Sequence, residues 1–203
     1  MKIICIGRNY GAHAKEMNAT IPTEPVFFMK PDVALLKDNE PFYFPDFTKD
    51  LHYECELVVK ISKVGKNISE KFASNYYSEI GLGIDFTARD LQQKCKEQGL
   101  PWEISKSFEN SAPLSSKFIS KNEVDLSKTN FHLEKNGDKV QVGNTSDFIF
   151  TIEQIIAYIS KFMTLKTGDL IFTGTPAGVG PVKIGDRLVG YLEGQEFFNF
   201  EIK

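Results

Sequence analysis

Two dipeptides, Asn136-Gly137 and Glu193-Gly194, limit the folds open to this chain more than any other feature. Asn-Gly between the apolar-containing runs 131–134 and 139–142 is a strong type I′ hairpin signal. Both central residues of that turn need positive φ, which Asn and Gly adopt at least cost. Residues 187–202 read as a second hairpin around Glu193-Gly194. Hairpins impose antiparallel pairing, which argues against a repeating βαβ fold. The other strand candidates are short: 3–6, 26–29, 33–36, 41–44, 53–61, 80–86 and 170–173. Pro25 and Pro31 confine the second of these to a short or edge strand. Helical spacing is rarer. A turn is expected around 12–17, and Thr87 is read as the cap of a helix of about ten residues that ends at Gly99-Leu100-Pro101. The clearest helix is 151–163, where Ile152, Ile155, Ile156, Ile159, Phe162 and Met163 form one stripe. Thr151 with Gln154 makes its capping box. The expectation is a strand-rich α+β fold in a single domain, residues 1–203.

Lys plus Arg is 24 and Asp plus Glu is 27, a net charge of −3. That balance supplies no general field for nucleic acid or an anionic membrane. No apolar run approaches the ~20 residues of a membrane span. The N-terminus lacks the long apolar stretch and small-residue cleavage site of a signal peptide. Cys5, Cys55 and Cys95 are odd in number and far apart, giving neither a metal spacing nor a disulfide framework. They are read as small buried residues, and the expected home is a reducing cytoplasm.

Four constellations could carry chemistry. Glu54 and Glu56 alternate along an apolar strand and so share a face, ~6.5–7 Å apart at Cβ. Two desolvated like charges call for a cation; a solvent-facing sheet surface would equally tolerate them. Asp85 ends an apolar strand just before a helix. It is either a third hard oxygen donor, suited to Mg²⁺, Mn²⁺ or Ca²⁺ rather than Zn²⁺, or a helix cap. His13 and Glu16 share a helical face, as a surface pair or as an imidazole whose tautomer and basicity a carboxylate sets. His52 lies two residues before Glu54 and could stand behind it. The run 173–180, Thr-Gly-Thr-Pro-Ala-Gly-Val-Gly, is a rigid turn or an anion-holding loop, and it is not a nucleotide phosphate loop. Arg8, Arg89 and Lys106 are basic residues that could hold a carboxylate, or solvated charges.

Taken in order, Gly7-Arg8-Asn9-Tyr10 with His13 and Glu16, Phe27-Phe28-Met29-Lys30-Pro31, Tyr53-Glu54-Cys55-Glu56-Leu57, the run from Asp85 to Gln92, Lys106-Ser107-Phe108, and Thr173 to Gly180 resemble the fumarylacetoacetate hydrolase family. Within it they are similar to the short acylpyruvase-type members, from about residue 3 to the C-terminus. The resemblance implies a β-roll or sandwich with flanking helices and a homodimer. It implies Mg²⁺ or Mn²⁺ held by Glu54, Glu56 and Asp85. It also implies a His13–Glu16 dyad on a lid spanning 8–23, and Lys106 in catalysis. Arg89, Gln92, Lys106 and Thr175 match positions that contact the 2-oxo acid end of a substrate. Phe86 and Cys55 depart from the family pattern without touching a ligand. The N-terminal domain of the longer fumarylacetoacetases has no counterpart here, which argues against fumarylacetoacetate itself.

The activity implied is metal-dependent hydrolysis of the C–C bond of acylpyruvates, which are 2,4-dioxo acids, to pyruvate and a carboxylic acid. Oxaloacetate decarboxylation and oxaloacetate keto–enol tautomerisation use the same pyruvate-enolate chemistry and stand as alternatives. A non-catalytic module holding a structural divalent metal is a more distant one. The expected partner is a small 2-oxo or 2,4-dioxo acid, with no nucleic acid and no membrane.

Overall fold

Ile3–Ile6 is buried at all four positions, as a continuous apolar run requires of a strand covered on both faces. It pairs antiparallel with Phe27–Lys30 and parallel with Leu170–Phe172. From there the sheet continues antiparallel through Cys55–Ile61, Tyr77–Ile84 and Ile119–Ser120, six strands in all. Phe27–Lys30 is an edge strand, consistent with the prolines that flank it. The structure, a computed structural model, describes residues 1–17 and 20–203.

A second, four-stranded antiparallel sheet has the order Asp138–Asn144, Asn130–Lys135, Arg187–Leu192, Gln195–Glu201. Both expected hairpins form within it. Asn136 and Gly137 take φ of 56° and 90°, and Glu193 and Gly194 take 48° and 75°, the paired positive values of a type I′ turn. Three short strands, Gly180–Pro181, Leu51–Tyr53 and Thr87–Ala88, make a small third sheet. The helix Ile152–Phe162 carries the predicted capping box at Thr151 and Gln154, and it buries Ile152, Ile155, Ile156 and Ile159. Those residues join Ile4, Leu57, Val59 and Ile80 of the first sheet and Leu133, Leu188 and Phe198 of the second in one apolar core. The result is the mixed, strand-rich α+β fold expected from the hairpins.

Four local expectations give way to tertiary context. The 33–36 run divides into a 3₁₀ turn, Asp32–Ala34, and the two-residue strand Leu35–Leu36. The 41–44 run contributes only a bridge from Phe42 to Ile202. The 53–61 strand breaks at Glu54 into Leu51–Tyr53 and Cys55–Ile61, because the two halves pair in different sheets. Thr87 is not a cap. It lies in a strand, and the helix Arg89–Gln98 starts after Ala88 without a side-chain cap.

Candidate active site

The sheet registers bring four chain segments to one end. Glu54 precedes Cys55–Ile61, Asp85 follows Tyr77–Ile84, Thr173 follows Leu170–Phe172, and Gly7 follows Ile3–Ile6. There Glu54, Glu56 and Asp85 converge, each offering an oxygen within 4.8 Å of the others. All three are buried, at 5%, 1% and 1% exposure, so the solvent-facing reading of the glutamates and the helix-cap reading of Asp85 both fall.

Three cations surround the triad. Lys106 Nζ donates to Glu54 Oε2 at 2.7 Å and to Asp85 Oδ2 at 2.8 Å. Arg89 donates to Glu54 Oε1 at 2.6 Å. Lys30 Nζ sits 2.8 Å from Asp85 Oδ1, an ion pair without hydrogen-bond geometry. The charges are shared unevenly. Burial pushes the Glu54 carboxyl up, but Lys106 and Arg89 outweigh it and hold Glu54 well below the usual carboxylate range. Among the described residues Glu56 receives only the Gly174 N–H, at 2.7 Å, and burial followed by the charges of Asp85 and Glu54 drives its carboxyl well above that range. Burial lowers the Lys106 ammonium, and Asp85 and Glu54 more than restore it.

Among the described residues, a carboxylate with no cation partner, a buried oxygen of Asp85 with no hydrogen-bond donor and a third carboxylate beside them form an all-oxygen donor set. This set could hold a hard divalent cation. Gly174 supports it through a backbone that no other residue copies: its φ is 97°, and an added Cβ would fall 2.7 Å from Asn9 Cβ. Gly174→Ala is expected to lower stability by about 1–3 kcal/mol in urea melts. Because the Gly174 amide would shift off Glu56, metal affinity should fall with it.

The expected dyad is also assembled. His13, 5% exposed on the short helix Gly11–Glu16, has Nδ1 3.0 Å from Glu16 Oε2. Glu16 Oε1 accepts from the Gly178 N–H at 3.1 Å, which ties the dyad to the Gly/Thr loop. With Nδ1 committed to Glu16, Nε2 is the nitrogen free to exchange a proton. The pocket that His13 lines also takes in Glu54, Arg89, Gln92, Lys106 and Trp102. Arg89 reaches Gln92 Oε1 at 2.7 Å, so the two present one rigid face. The lid expected over 8–23 includes residues 18–19, which lie outside the described residues.

Two other expectations are placed differently. Thr175 is buried and uses its hydroxyl internally, donating to the Cys55 carbonyl at 2.8 Å and accepting from Gln141 at 2.9 Å. It braces the strand that carries Glu56. His52 turns to Asp50 at 2.9 Å.

Sequence reasoning gave no role to three residues that hold this site together. Lys30, 2% exposed, also donates to the Ser111 carbonyl and hydroxyl at 3.1 and 3.0 Å and to the Lys106 carbonyl. Asn9, fully buried, clamps the start of the His13 segment by donating to the carbonyls of Thr173 and Phe150 and accepting from the Phe150 N–H. Gln141 accepts from the Cys55 N–H at 2.9 Å between the two glutamates. Lys30 and Asn9 lay inside recognised motifs and could have been flagged as polar residues in apolar or glycine-bounded runs. Gln141 sits on a hairpin strand with no local signal.

The family model described as fumarylacetoacetate (FAA) hydrolase C-terminal matches residues 2–201. The chain belongs to the fumarylacetoacetate hydrolase family. Among its relatives, the oxaloacetate tautomerase FAHD1, mitochondrial, of Mus musculus is 44% identical over 99% of this chain and 91% of its own length. The oxaloacetate tautomerase YcgM of Escherichia coli is 43% identical over 95% of this chain and 89% of its own. Among solved structures, the fumarylpyruvate hydrolase of Pseudomonas aeruginosa in complex with Mn²⁺ and pyruvate superposes with a TM-score of 0.93. It is 35% identical, covering 100% of this chain and 89% of that one. Family members thus include both tautomerase and hydrolase chemistry, and a solved neighbour carries a divalent metal.

Proposed function

We propose that this chain is a divalent-metal-dependent enzyme that interconverts the keto and enol forms of oxaloacetate. The observation that carries the reading is one pocket lined both by Glu54 of the buried carboxylate triad and by buried His13 of the His–Glu dyad. The tautomerase relatives at 43–44% identity support the choice of substrate.

In this reading Glu54, Glu56 and Asp85 would hold Mg²⁺ or Mn²⁺, which when bound supplies Lewis-acid stabilisation to a developing enolate oxygen. Arg89 and Lys106 add charge-assisted hydrogen bonds at the carboxylate and 2-oxo end, and Gln92 fixes the Arg89 fork there. His13, oriented through Nδ1 by Glu16, takes a proton from C3 at Nε2. The C3–H electron pair becomes the C2–C3 double bond, and the proton is returned to the 2-oxygen. The reverse sequence gives the ketone. Burial of the His13 ring limits the access of bulk water to that proton.

Hydrolysis of acylpyruvates is the second reading; the likeness to the fumarylpyruvate hydrolase structure favours it, and an imidazole oriented by Glu16 can equally deprotonate water. Hydroxide would attack the 4-carbonyl, the C3–C4 bond would break, and its electrons would form the pyruvate enolate, protonated at C3. The deciding assay follows the enol absorbance of oxaloacetate with Mg²⁺ or Mn²⁺ and then with EDTA, beside pyruvate release from oxaloacetate and acetylpyruvate. EDTA-sensitive enol–keto conversion without pyruvate is the expected result. Pyruvate from oxaloacetate would move the assignment to decarboxylation, and fast cleavage of acetylpyruvate would move it to hydrolysis.

A further inference from the structure

Arg89, Gln92 and Lys96 occupy positions i, i+3 and i+7 of the helix Arg89–Gln98, and all three line the pocket. From the loop after Ile3–Ile6, half-buried Arg8 lines it too. Arg89 and Lys106 are already paired with Glu54 and Asp85 at the triad end of the pocket. Arg8 and Lys96 form no ion pair among the described residues. They line the same pocket, and after burial the charges of Arg89 and Arg8 lower the Lys96 ammonium below its ordinary value, with Glu54 opposing them. Uncompensated like charges focused in a pocket attract an anion, and binding one relieves their repulsion.

We propose that Arg8 and Lys96 form a second carboxylate subsite, which selects a dicarboxylic 2-oxo acid over one with a neutral tail. The proposal rests on the functional reading above and narrows its substrate class. One end of the substrate engages the triad side with Arg89, Gln92 and Lys106. The distal carboxylate sits between the Arg8 guanidinium, which can grip two oxygens, and the Lys96 ammonium. A neutral acyl tail would displace water from both cations and leave them unpaired. The subsite also couples binding to chemistry. Arg8 lies five residues before His13 on the same segment, and Lys96 lies on the helix that carries Arg89. A carboxylate bridging them ties the base-bearing segment to the substrate-holding helix.

The test compares kcat/KM for oxaloacetate and for its 4-methyl ester, with calorimetric affinities for both, in Mg²⁺-loaded wild type, Arg8→Gln, Lys96→Met and Lys96→Arg. Wild type should prefer the dianion at least tenfold. Arg8→Gln and Lys96→Met should each erase most of that preference, mainly through KM, and Lys96→Arg should restore it. Variants that keep the wild-type preference, or that lose both substrates equally, overturn the subsite. Wild type that binds the dianion more tightly than the ester yet turns over neither would sink the tautomerase reading. The subsite would then stand on the binding data and their loss in the two variants.

Discussion

His13→Ala is expected to lower turnover by about a hundred- to ten-thousandfold while leaving metal affinity within a few-fold of wild type. The split follows from geometry. The ring pairs with Glu16 through Nδ1 and does not belong to the carboxylate cluster. In the proposed mechanism it moves a proton, so its removal would delete general-base catalysis without touching a carboxylate of the cluster. Glu16→Gln should fall between wild type and His13→Ala, because the amide keeps a partner for Nδ1 but removes the negative charge that faces the ring. It would also leave the Gly178 N–H with a weaker acceptor. Steady-state kinetics beside calorimetric metal titration reads both numbers. A His13→Ala protein that works at the wild-type rate would remove the dyad from the mechanism.

Lys30→Met is expected to cost about 3–5 kcal/mol in urea unfolding of the metal-free protein, the range for removing one partner of a buried ion pair. The ammonium is enclosed, and its loss would strand Asp85 Oδ1 without its counter-charge and the Ser111 carbonyl and hydroxyl without their donor. Lys30→Arg should not rescue it, since a planar fork with a longer reach cannot occupy a fully buried pocket shaped around an ammonium. A loss under about 1 kcal/mol would show that the pair behaves as a solvated one.

Periodicity and turn chemistry made much of this architecture legible. Asn136-Gly137 forced a hairpin whose partner strands are local in sequence, and the isoleucine stripe of 152–159 with its Thr151–Gln154 box fixed a helix that needs no distant information. Alternation placed Glu54 and Glu56 on one face. What periodicity could not supply was the far side of each contact. Thr87 looks like a cap because Thr before a helix usually is one, yet pairing with His52 claimed its backbone. The 41–44 run has strand composition, but it lies against the last residues of the chain, 201–203, and forms a single bridge there, Phe42 to Ile202. Gln141 and Lys30 matter through partners 86 and 55 residues away, Cys55 and Asp85, and no local pattern marks such pairings. Thr175 sits in the expected loop, but its hydroxyl is drawn inward by Gln141, a residue whose position only the second sheet sets.

The measurement that bears most directly on this account is a calorimetric titration of Mn²⁺ into the wild-type chain and into Glu56→Gln, with circular dichroism to confirm that both are folded. Glu56 is the choice because it is the carboxylate without a cation partner, so its charge is the one the ion would answer. One ion per chain in wild type, with affinity reduced at least a hundredfold in a folded Glu56→Gln protein, is the predicted result. Equal affinity in the two proteins, or no binding in wild type, would contradict the assignment of Glu54, Glu56 and Asp85 as the metal centre, and the enolate chemistry built on it would fall with it.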